Sequence, residues 1–246
     1  MPDLPCEERL AAAFVELADT LVSDFDVIHF LHTLSDHCVA LLDIEAAGVI
    51  LATPQGGSMA VAGSDARTRE LVQDGVDWDE GPCHDCFKAG ELLASVALDL
   101  PEAYAAWPRF APRARDLGFR SVAAVPLRLR EQTIGALNLL RGEADALAPQ
   151  QLGLGRALAD IATIGILQQR AVQQQALLAA QLETALQSRI VIEQAKGALA
   201  QQQRISVDDA FALLRRHARS RQRLLTAVAQ EVLDGTVELF PSESTD

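Results

Sequence analysis

The stretch FRSVAAVPLRLREQTIGALNLLRG, from Phe119 to Gly142, determines the fold class of the protein. It contains two apolar segments rich in Val, Leu and Ile, separated by a short polar segment around Arg130. Two such segments joined by a short polar turn are typical of a β-hairpin. The stretch therefore predicts two paired strands within a larger sheet.

Further strands and helices are predicted on the N-terminal side of this hairpin. The run AAGVILATP precedes turn signals at Pro54 and Gly56–Gly57, then a return strand, SMAVAGS, and a later strand, ELLASVALDL. Helical patterns cover DARTRELVQDGV, Glu7–Val22, Val27–Leu42 and the segment from Glu102 to Leu117, which breaks near Pro108 and stops at Gly118. Strands with helices between them and at both ends predict an α+β domain over residues 1–148.

Charge is distributed unevenly along the 246 residues. The whole chain carries a formal net charge of −13, which argues against a general polyanion binder. Between Gln187 and Gly235, however, eight basic and five acidic residues leave +3, so the remainder carries −16. The pattern is that of a basic C-terminal module on an acidic carrier.

Targeting signals are not evident in the sequence. The N-terminus, MPDLPCEERL, has neither a basic segment nor an apolar core typical of a signal peptide. No uncharged apolar run approaches the roughly 18 residues that suggest a membrane span. We therefore expect a cytoplasmic protein that does not bind membranes.

Residues 149–187 predict a long linking helix. This segment has no proline after Pro149 and is rich in Ala, Leu and Gln. Apolar positions spaced alternately by four and three residues are typical of a coiled-coil seam and favour a homodimer over a helix that only covers its own domain. Two glutamines interrupt this seam, which consists of Ala157, Ile161, Ile164, Gln168, Ala171, Gln175, Leu178, Leu182 and Ala185.

Residues 188–240 predict three helices, followed by a flexible tail over 241–246. The first continues from the linking helix and ends at QQQR, and Ser206 is a candidate N-cap for the second. The second helix has a predicted packing stripe of Val207, Phe211, Leu214 and Ala218. The third buries Leu225, Val228 and Val232 and stops at Gly235.

Lys196 is one of two lysines in the chain and lies in a run of small residues. Arg189, seven residues earlier, falls on the same side of the helix, and Glu193 between them can pair with either. A glycine such as Gly197 inside a helix costs about 1 kcal/mol relative to alanine, so we expect a helix or a ligand to approach closely there. The residues alone leave two alternatives open: a seat for a nucleic-acid backbone, or helix packing beside a solvated basic face.

Cys83 and Cys86 have the C-x-x-C spacing, with His84 between them. Such a pair can ligate zinc or cycle as a dithiol, although a structural zinc site needs two further ligands that only the fold can supply. The alternative is that both are buried packing residues. Catalytic signatures such as a P-loop, a nucleophile elbow or H-E-x-x-H do not occur, so no catalytic residue and no metal site are assigned and a non-enzyme is expected.

The segment from Ser188 to Ala229 resembles the ANTAR domain, an RNA-binding module of bacterial transcription antiterminators. SRIVIEQAKGAL, AFALLRRHA and LLTAVA carry the resemblance, with the alanine-lysine-glycine triplet at Ala195–Gly197 and the alanine-aromatic pair at Ala210–Phe211. The resemblance implies hairpin RNA as a partner. The candidate RNA-binding residues are Arg189, Ala195, Lys196, Gly197, Ala210, Phe211, Arg215, Arg216 and Arg219.

The first region is similar to the GAF domain that accompanies ANTAR in actinobacterial regulators. The motifs are WDEGPCHDCFKAGE, WPRFA, GFRSVAAVPLRL and TIGALNLL. The resemblance implies an antiparallel sheet with helices on one face and a small-molecule pocket on the other, roofed by Gly81–Cys86 and Glu102–Leu117. Neither the ligand nor any cofactor is identified, and Cys83, His84 and Cys86 are candidate sensor residues.

The sequence thus predicts a signal-responsive antiterminator in which the GAF domain controls RNA binding by a three-helix ANTAR bundle. Two other interpretations remain open at this point. The last two helices form a DNA-binding helix-turn-helix in one, although their connection lacks a turn glycine. In the other, the protein is a redox or metal sensor, or a thiol enzyme, centred on the cysteine pair.

Overall fold

A computed structural model describes residues 6–20, 26–53, 59–237 and 239 of the protein. The chain divides into two compact units, unit 1 over Met1–Ala171 and unit 2 over Val172–Asp246. The turn signals at Pro54 and Gly56–Gly57, and the predicted flexible tail over 241–246, lie outside the described residues.

The hairpin predicted from Phe119–Gly142 lies at the centre of the sheet in unit 1. Its strands pair antiparallel, and the turn between them places Arg130 in the left-handed conformation with φ 55°. The other strands also pair antiparallel, in the order β2-β1-β5-β4-β3. The strands are β1 (Ala46–Ala52), β2 (Met59–Gly63), β3 (Leu93–Ala97), β4 (Ser121–Leu129) and β5 (Gln132–Arg141).

One face of the sheet packs against α1 (Cys6–Asp19), α2 (Val27–Leu42) and the first part of α7 (Pro149–Gln203). Asp26 caps α2, since its carboxylate accepts hydrogen bonds from the backbone N–H groups of Ile28 and His29. Because successive side chains of a strand point to opposite faces of the sheet, every second residue of each strand faces these helices. The resulting core includes Phe30, Leu34, Val49, Val125, Leu137, Leu158 and Ile166.

The other face is covered by four helices. These helices cover the apolar side chains of this face, where the segment Glu102–Leu117 was expected to roof the pocket. The segment expected to be a single helix with a break is two, since Trp107 leaves the helical conformation before Pro108. The four are α3 (Ala66–Trp78), α4 (Pro82–Ala89), α5 (Pro101–Ala106) and α6 (Phe110–Asp116).

Helix α4 was not predicted from the sequence, although its boundaries have clear signals. Gly81 adopts φ 113° immediately before it, and Pro82 occupies the first helical turn, where a missing N–H costs little. Gly90 ends the helix in the left-handed conformation with φ 66°. This short helix brings the cysteine pair onto the sheet.

Unit 2 is a bundle of the last part of α7 with α8 (Val207–Ser220) and α9 (Leu225–Leu233). Helix α7 ends where Arg204 takes φ 55°, and the Ser206 hydroxyl accepts a hydrogen bond from the Asp209 N–H as the predicted N-cap. The left-handed Gly235 follows α9, as predicted. The bundle core consists of Ala195, Leu199, Ala210, Leu213, Leu214, Ala218, Val228, Ala229, Val232 and Leu239.

The packing stripe predicted for α8 was wrong at one end. Val207 is exposed and Phe211 is half-buried, whereas Ala210 and Leu213 are buried. The buried stripe is rotated by about one residue because Ala210 and Leu214 face α7 and α9. Among the described residues, none of the helices combines the length and apolar character that crossing a bilayer requires.

Candidate functional site

A cluster of two cations around an aromatic ring lies on the surface of unit 2. The Lys196 Nζ is 5.1 Å from the centre of the Phe211 ring, and the Arg215 guanidinium carbon is 5.6 Å from it. Both separations fall within the roughly 6 Å over which a cation is attracted by an aromatic ring. We call these three residues the cation–aromatic cluster.

Glu193 completes the surroundings of Lys196. Its Oε1 and Oε2 accept hydrogen bonds from Nζ at 3.0 and 2.9 Å, three residues apart on α7. The Lys196 side chain is only 15 % exposed. Lys196 is therefore held by a carboxylate and a ring rather than extended into solvent.

The open space beside this cluster lies over Gly197. Gly197 is exposed, and a Cβ added there meets no heavy atom within 4 Å among the described residues. Helix packing within the bundle therefore does not explain the glycine, which was one of the two alternatives from the sequence. Because Gly197 has no side chain, the surface of α7 is recessed next to Lys196.

The two alanines of the signature have another role. Ala195 and Ala210 are fully buried in the core of the bundle, so their side chains do not reach the surface. Small side chains at these positions let α7 and α8 approach closely.

The remaining arginine candidates are exposed. Arg189 precedes Lys196 by seven residues on α7, and Arg219 follows Arg215 by four on α8, so each extends the side that carries the cluster. Arg216 is exposed but is rotated away from Arg215 by one helical position. The structure thus brings Lys196, Phe211 and Arg215 into contact, and places Arg189 and Arg219 on the same helix faces.

Two further charged contacts in unit 2 were not predicted from the sequence. Arg223 pairs with Glu231, which lowers the pKa of that carboxyl through the hydrogen bond from Arg223. Burial, followed by the charge of Arg221, lowers the pKa of His217, which favours its neutral form. Arg223 and Glu231 are eight residues apart and connect the segment after α8 to α9, so their contact depends on the fold, whereas His217 and Arg221 are only four residues apart.

A small cavity in unit 1 corresponds to the expected pocket. Its volume is about 70 Å³, and it lies between the sheet and helices α3, α4 and α6. Gly81 and Phe110 belong to the two segments expected to roof it, whereas the contribution of α3 was not predicted. The lining residues include Ile50, Val72, Gly81, Cys83, His84, Phe110 and Asn138.

Two of the three candidate sensor residues line this cavity, and the third does not. Cys83 and His84 line it, and the Cys83 thiol donates to the Ala136 carbonyl oxygen at 3.4 Å. The Cys86 thiol instead donates to the Glu91 carbonyl oxygen at 3.1 Å. The Nε2 atom of His84 lies 2.5 Å from the Asp79 carboxylate.

Both thiols are in an environment that disfavours the thiolate. Burial raises the pKa of Cys86 to about 12 and raises that of Cys83 well above its usual value. No group of three or more His, Cys, Asp or Glu side chains within the described ranges is arranged to hold a metal ion. The geometry favours packing by these cysteines, which was one of the alternatives from the sequence.

Asn138 is the polar residue in this region that sequence analysis missed. It lies on the central strand β5, lines the cavity and is 1 % exposed. A signal for it exists in the sequence, since it is the only polar residue in the apolar run GALNLL.

Comparisons with known proteins agree with both units. A family model described as GAF domain matches residues 26–167, and one described as ANTAR domain matches residues 180–233. A comparison with curated proteins finds no match.

Solved structures resemble unit 1. The GAF domain from a phosphoenolpyruvate-protein phosphotransferase of Coxiella burnetii is 14 % identical, with a TM-score of 0.50, over 68 % of this chain and 98 % of that one. The GAF domain from the Acinetobacter phosphoenolpyruvate-protein phosphotransferase is 12 % identical, with a TM-score of 0.49, over 68 % of this chain and 95 % of that one. At these identities the likeness to the Coxiella burnetii domain shows the fold alone. The matched ranges together show that the chain belongs to the GAF domain family and carries an ANTAR domain after its GAF domain.

Proposed function

We propose that the protein is a signal-responsive transcription antiterminator that binds hairpin loops of nascent RNA. In this proposal the ANTAR domain grips the loops and prevents formation of a terminator. The GAF domain binds a small molecule and controls that activity. The observation that carries the proposal is the cation–aromatic cluster beside the open surface at Gly197.

The chemistry of this cluster suits an unpaired RNA loop. Phosphates need cations, and splayed bases stack on aromatic or guanidinium planes. Phe211 offers a half-buried ring, while Arg215 and Arg189 are exposed cations on the same side. A regular duplex presents neither unstacked bases nor a loop that fits over a low helix surface, so RNA hairpins are the favoured partner over duplex DNA.

Self-association through α7 is the second part of the proposal. Every residue from 171 to 187 is exposed, including Leu178 at 54 % and Leu182 at 63 %. Both belong to the predicted seam, whereas its first positions, Ala157 and Ile161, are partly buried in unit 1. Pairing of two copies would cover these leucines and place two ANTAR domains on one assembly, which gains avidity for paired hairpins.

The test is fluorescence anisotropy with leader RNA that contains two hairpins, and duplex DNA as competitor. Lys196→Ala with Arg215→Ala should weaken binding by at least about tenfold, as expected for loss of two charge-assisted contacts. The slope of affinity against salt concentration should fall by roughly 1.4 if both residues meet phosphates of single-stranded RNA. The matched control is Arg69→Ala with Arg156→Ala, which removes two exposed arginines from unit 1.

Three results contradict the proposal. The first is equal affinity of the cluster variant and the control variant. The second is efficient competition by duplex DNA, which favours the helix-turn-helix interpretation. The third is loss of RNA binding on treatment with a metal chelator or an oxidant in the wild-type protein, which favours a metal or redox sensor.

A further inference from the structure

Among the residues that the structure describes, the Asn138 side chain has no partner for either of its polar atoms. Oδ1 and Nδ2 are buried and form no hydrogen bond with any described residue. Buried amide groups are almost always hydrogen-bonded, because a lost bond to water must be replaced. A buried amide without a partner among the described residues, on the central strand of the sheet, therefore needs an explanation.

Small residues flank Asn138 on both neighbouring strands. Its cross-strand neighbours are Gly48 on β1 and Ala124 on β4, the two smallest kinds of side chain. Its side chain lines the cavity of about 70 Å³, which α3, α4 and α6 close from the other side. Val72 and Thr68 fill the space beside Gly48, so the cavity is the side from which a ligand would reach the amide.

The other residues that line the cavity limit which chemical classes of ligand can bind. Ile50, Val72 and Phe110 form an apolar wall. The ionisable groups beside it are Asp79, Glu80 and His84, and the Nε2 atom of His84 lies 2.5 Å from the Asp79 carboxylate. The Glu80 carboxylate already accepts hydrogen bonds from the N–H groups of Arg109 and Phe110, so it is committed to holding α6. Because the His84 imidazole already contacts the Asp79 carboxylate, an anion gains little attraction here, and a cation would leave Nδ2 without an acceptor.

We infer that this cavity binds a small uncharged molecule with adjacent donor and acceptor groups, of the carboxamide or urea type, through Asn138. The amide edge of such a molecule pairs with Oδ1 and Nδ2 at once. Its alkyl part lies against the apolar wall. The inference rests on the proposed sensory role of the GAF domain and names the chemical class that it senses.

Size separates this class from larger ligands. A water molecule occupies about 30 Å³ in the liquid, so the cavity holds a group of only a few non-hydrogen atoms. Pockets for drug-sized molecules are several times larger, at about 300–1,000 Å³. A nucleotide or a larger ring system does not fit this cavity.

The experiment uses the full chain with selective ¹⁵N labelling of asparagine and acetamide as the probe. Titration should shift the side-chain NH₂ resonance of Asn138 in a saturable manner, with a dissociation constant of roughly 1 mM for four non-hydrogen atoms. Acetate has the same shape but no donor, so at equal ionic strength it should cause no saturable shift.

Two variants control for stability. Asn138→Leu replaces the amide by an apolar side chain of similar size and should raise Tm by a few degrees while it abolishes the acetamide response, followed through backbone amides of α4. Asn138→Ala should also abolish the acetamide response, and it replaces the leucine variant if that variant does not fold. Thermal unfolding shows that each variant is folded.

The inference is overturned if acetamide gives no saturable shift, in which case Asn138 is satisfied by ordered water only. It is also overturned if either folded variant binds acetamide as the wild type does. The RNA affinity of the same preparations, measured without acetamide, tests the proposed antiterminator function separately. Loss of RNA binding contradicts that function, and loss of the acetamide response alone contradicts only this inference.

Discussion

At the scale of single residues, Glu193 decides how available Lys196 is to a phosphate. The carboxylate takes two hydrogen bonds from the ammonium group, which also rests on the Phe211 ring. An RNA phosphate must displace this carboxylate or share the ammonium with it. The sequence predicted that Glu193 can pair with Lys196, but the contact with Phe211 depends on the packing of α8 against α7.

Glu193→Gln should therefore strengthen RNA binding. Removal of a competing charge worth roughly 0.2–1 kcal/mol corresponds to about a one-and-a-half- to fivefold gain in affinity. The control is Glu183→Gln on the same helix, which removes an equal charge at an exposed position in unit 2. Anisotropy that shows the same change for both variants would mean that only net charge matters.

The buried thiols make a second prediction at this scale. Burial raises the pKa of Cys38 and of Cys86 to about 12, so both stay protonated and unreactive near pH 8. In a Cys6→Ser background, Ellman's reagent should react slowly with the native protein and fully after denaturation. Rapid native reaction of Cys83 or Cys86 would support the sensor interpretation instead.

The same shifts predict how stability depends on pH. The folded thiols keep their protons above the usual pKa of about 8.5, whereas the unfolded thiols lose theirs. The contribution is therefore complete below the unfolded pKa and disappears as pH rises toward about 12. Urea unfolding at pH 7 and pH 10 should show lower stability at pH 10, with a smaller difference in Cys86→Ala.

At the scale of elements, two of the four glycines in α7 lie in similar surroundings but have different expected roles. Gly153 and Gly197 both lie inside the helix, and a Cβ at either position meets no heavy atom within 4 Å among the residues described. Neither glycine is required by packing. Alanine should raise helix stability by up to about 1 kcal/mol at each site.

The expected difference between the two positions is in RNA binding. Gly197→Ala should stabilise unit 2 yet weaken RNA affinity, because the added methyl group raises the surface beside Lys196. Gly153→Ala should stabilise the protein with no effect on RNA. Thermal unfolding and anisotropy on both variants test this, and an unchanged RNA affinity for Gly197→Ala would place the RNA elsewhere.

Other elements differ in how well local sequence defines them. The hairpin of β4 and β5 and the N-cap at Ser206 follow from neighbouring residues and were correctly predicted. Helix α4 was missed because eight residues are too few for a clear helical period, so its glycine and proline boundaries are the main signal. The buried face of α8 was misjudged because Phe211 is apolar but serves a surface cluster.

At the scale of the whole molecule, the exposed leucines of α7 predict the oligomeric state. Leu178→Gln with Leu182→Gln should convert a dimer to a monomer of 26.5 kDa, since it removes two seam residues without touching a folded core. Light scattering with size-exclusion chromatography measures this directly. Leu177→Gln, exposed but off the seam, should leave the dimer intact.

The same variants connect assembly to function. The monomeric form should bind RNA with two hairpins no better than RNA with one, because avidity requires two ANTAR domains on one tether. A monomeric wild-type protein, or a seam variant that retains its mass, would remove self-association from the proposal.

The sequence by itself determined the strands, the long helix, the three-helix module and the family resemblances. These depend on hydrophobic periodicity and caps, which act between residues close in the chain. Tertiary structure alone decided which side chains are enclosed, because enclosure depends on contacts between residues far apart in the chain. Within the described part of the chain, it buried Asn138 without a partner, held Lys196 between Glu193 and Phe211, and left Gly197 open.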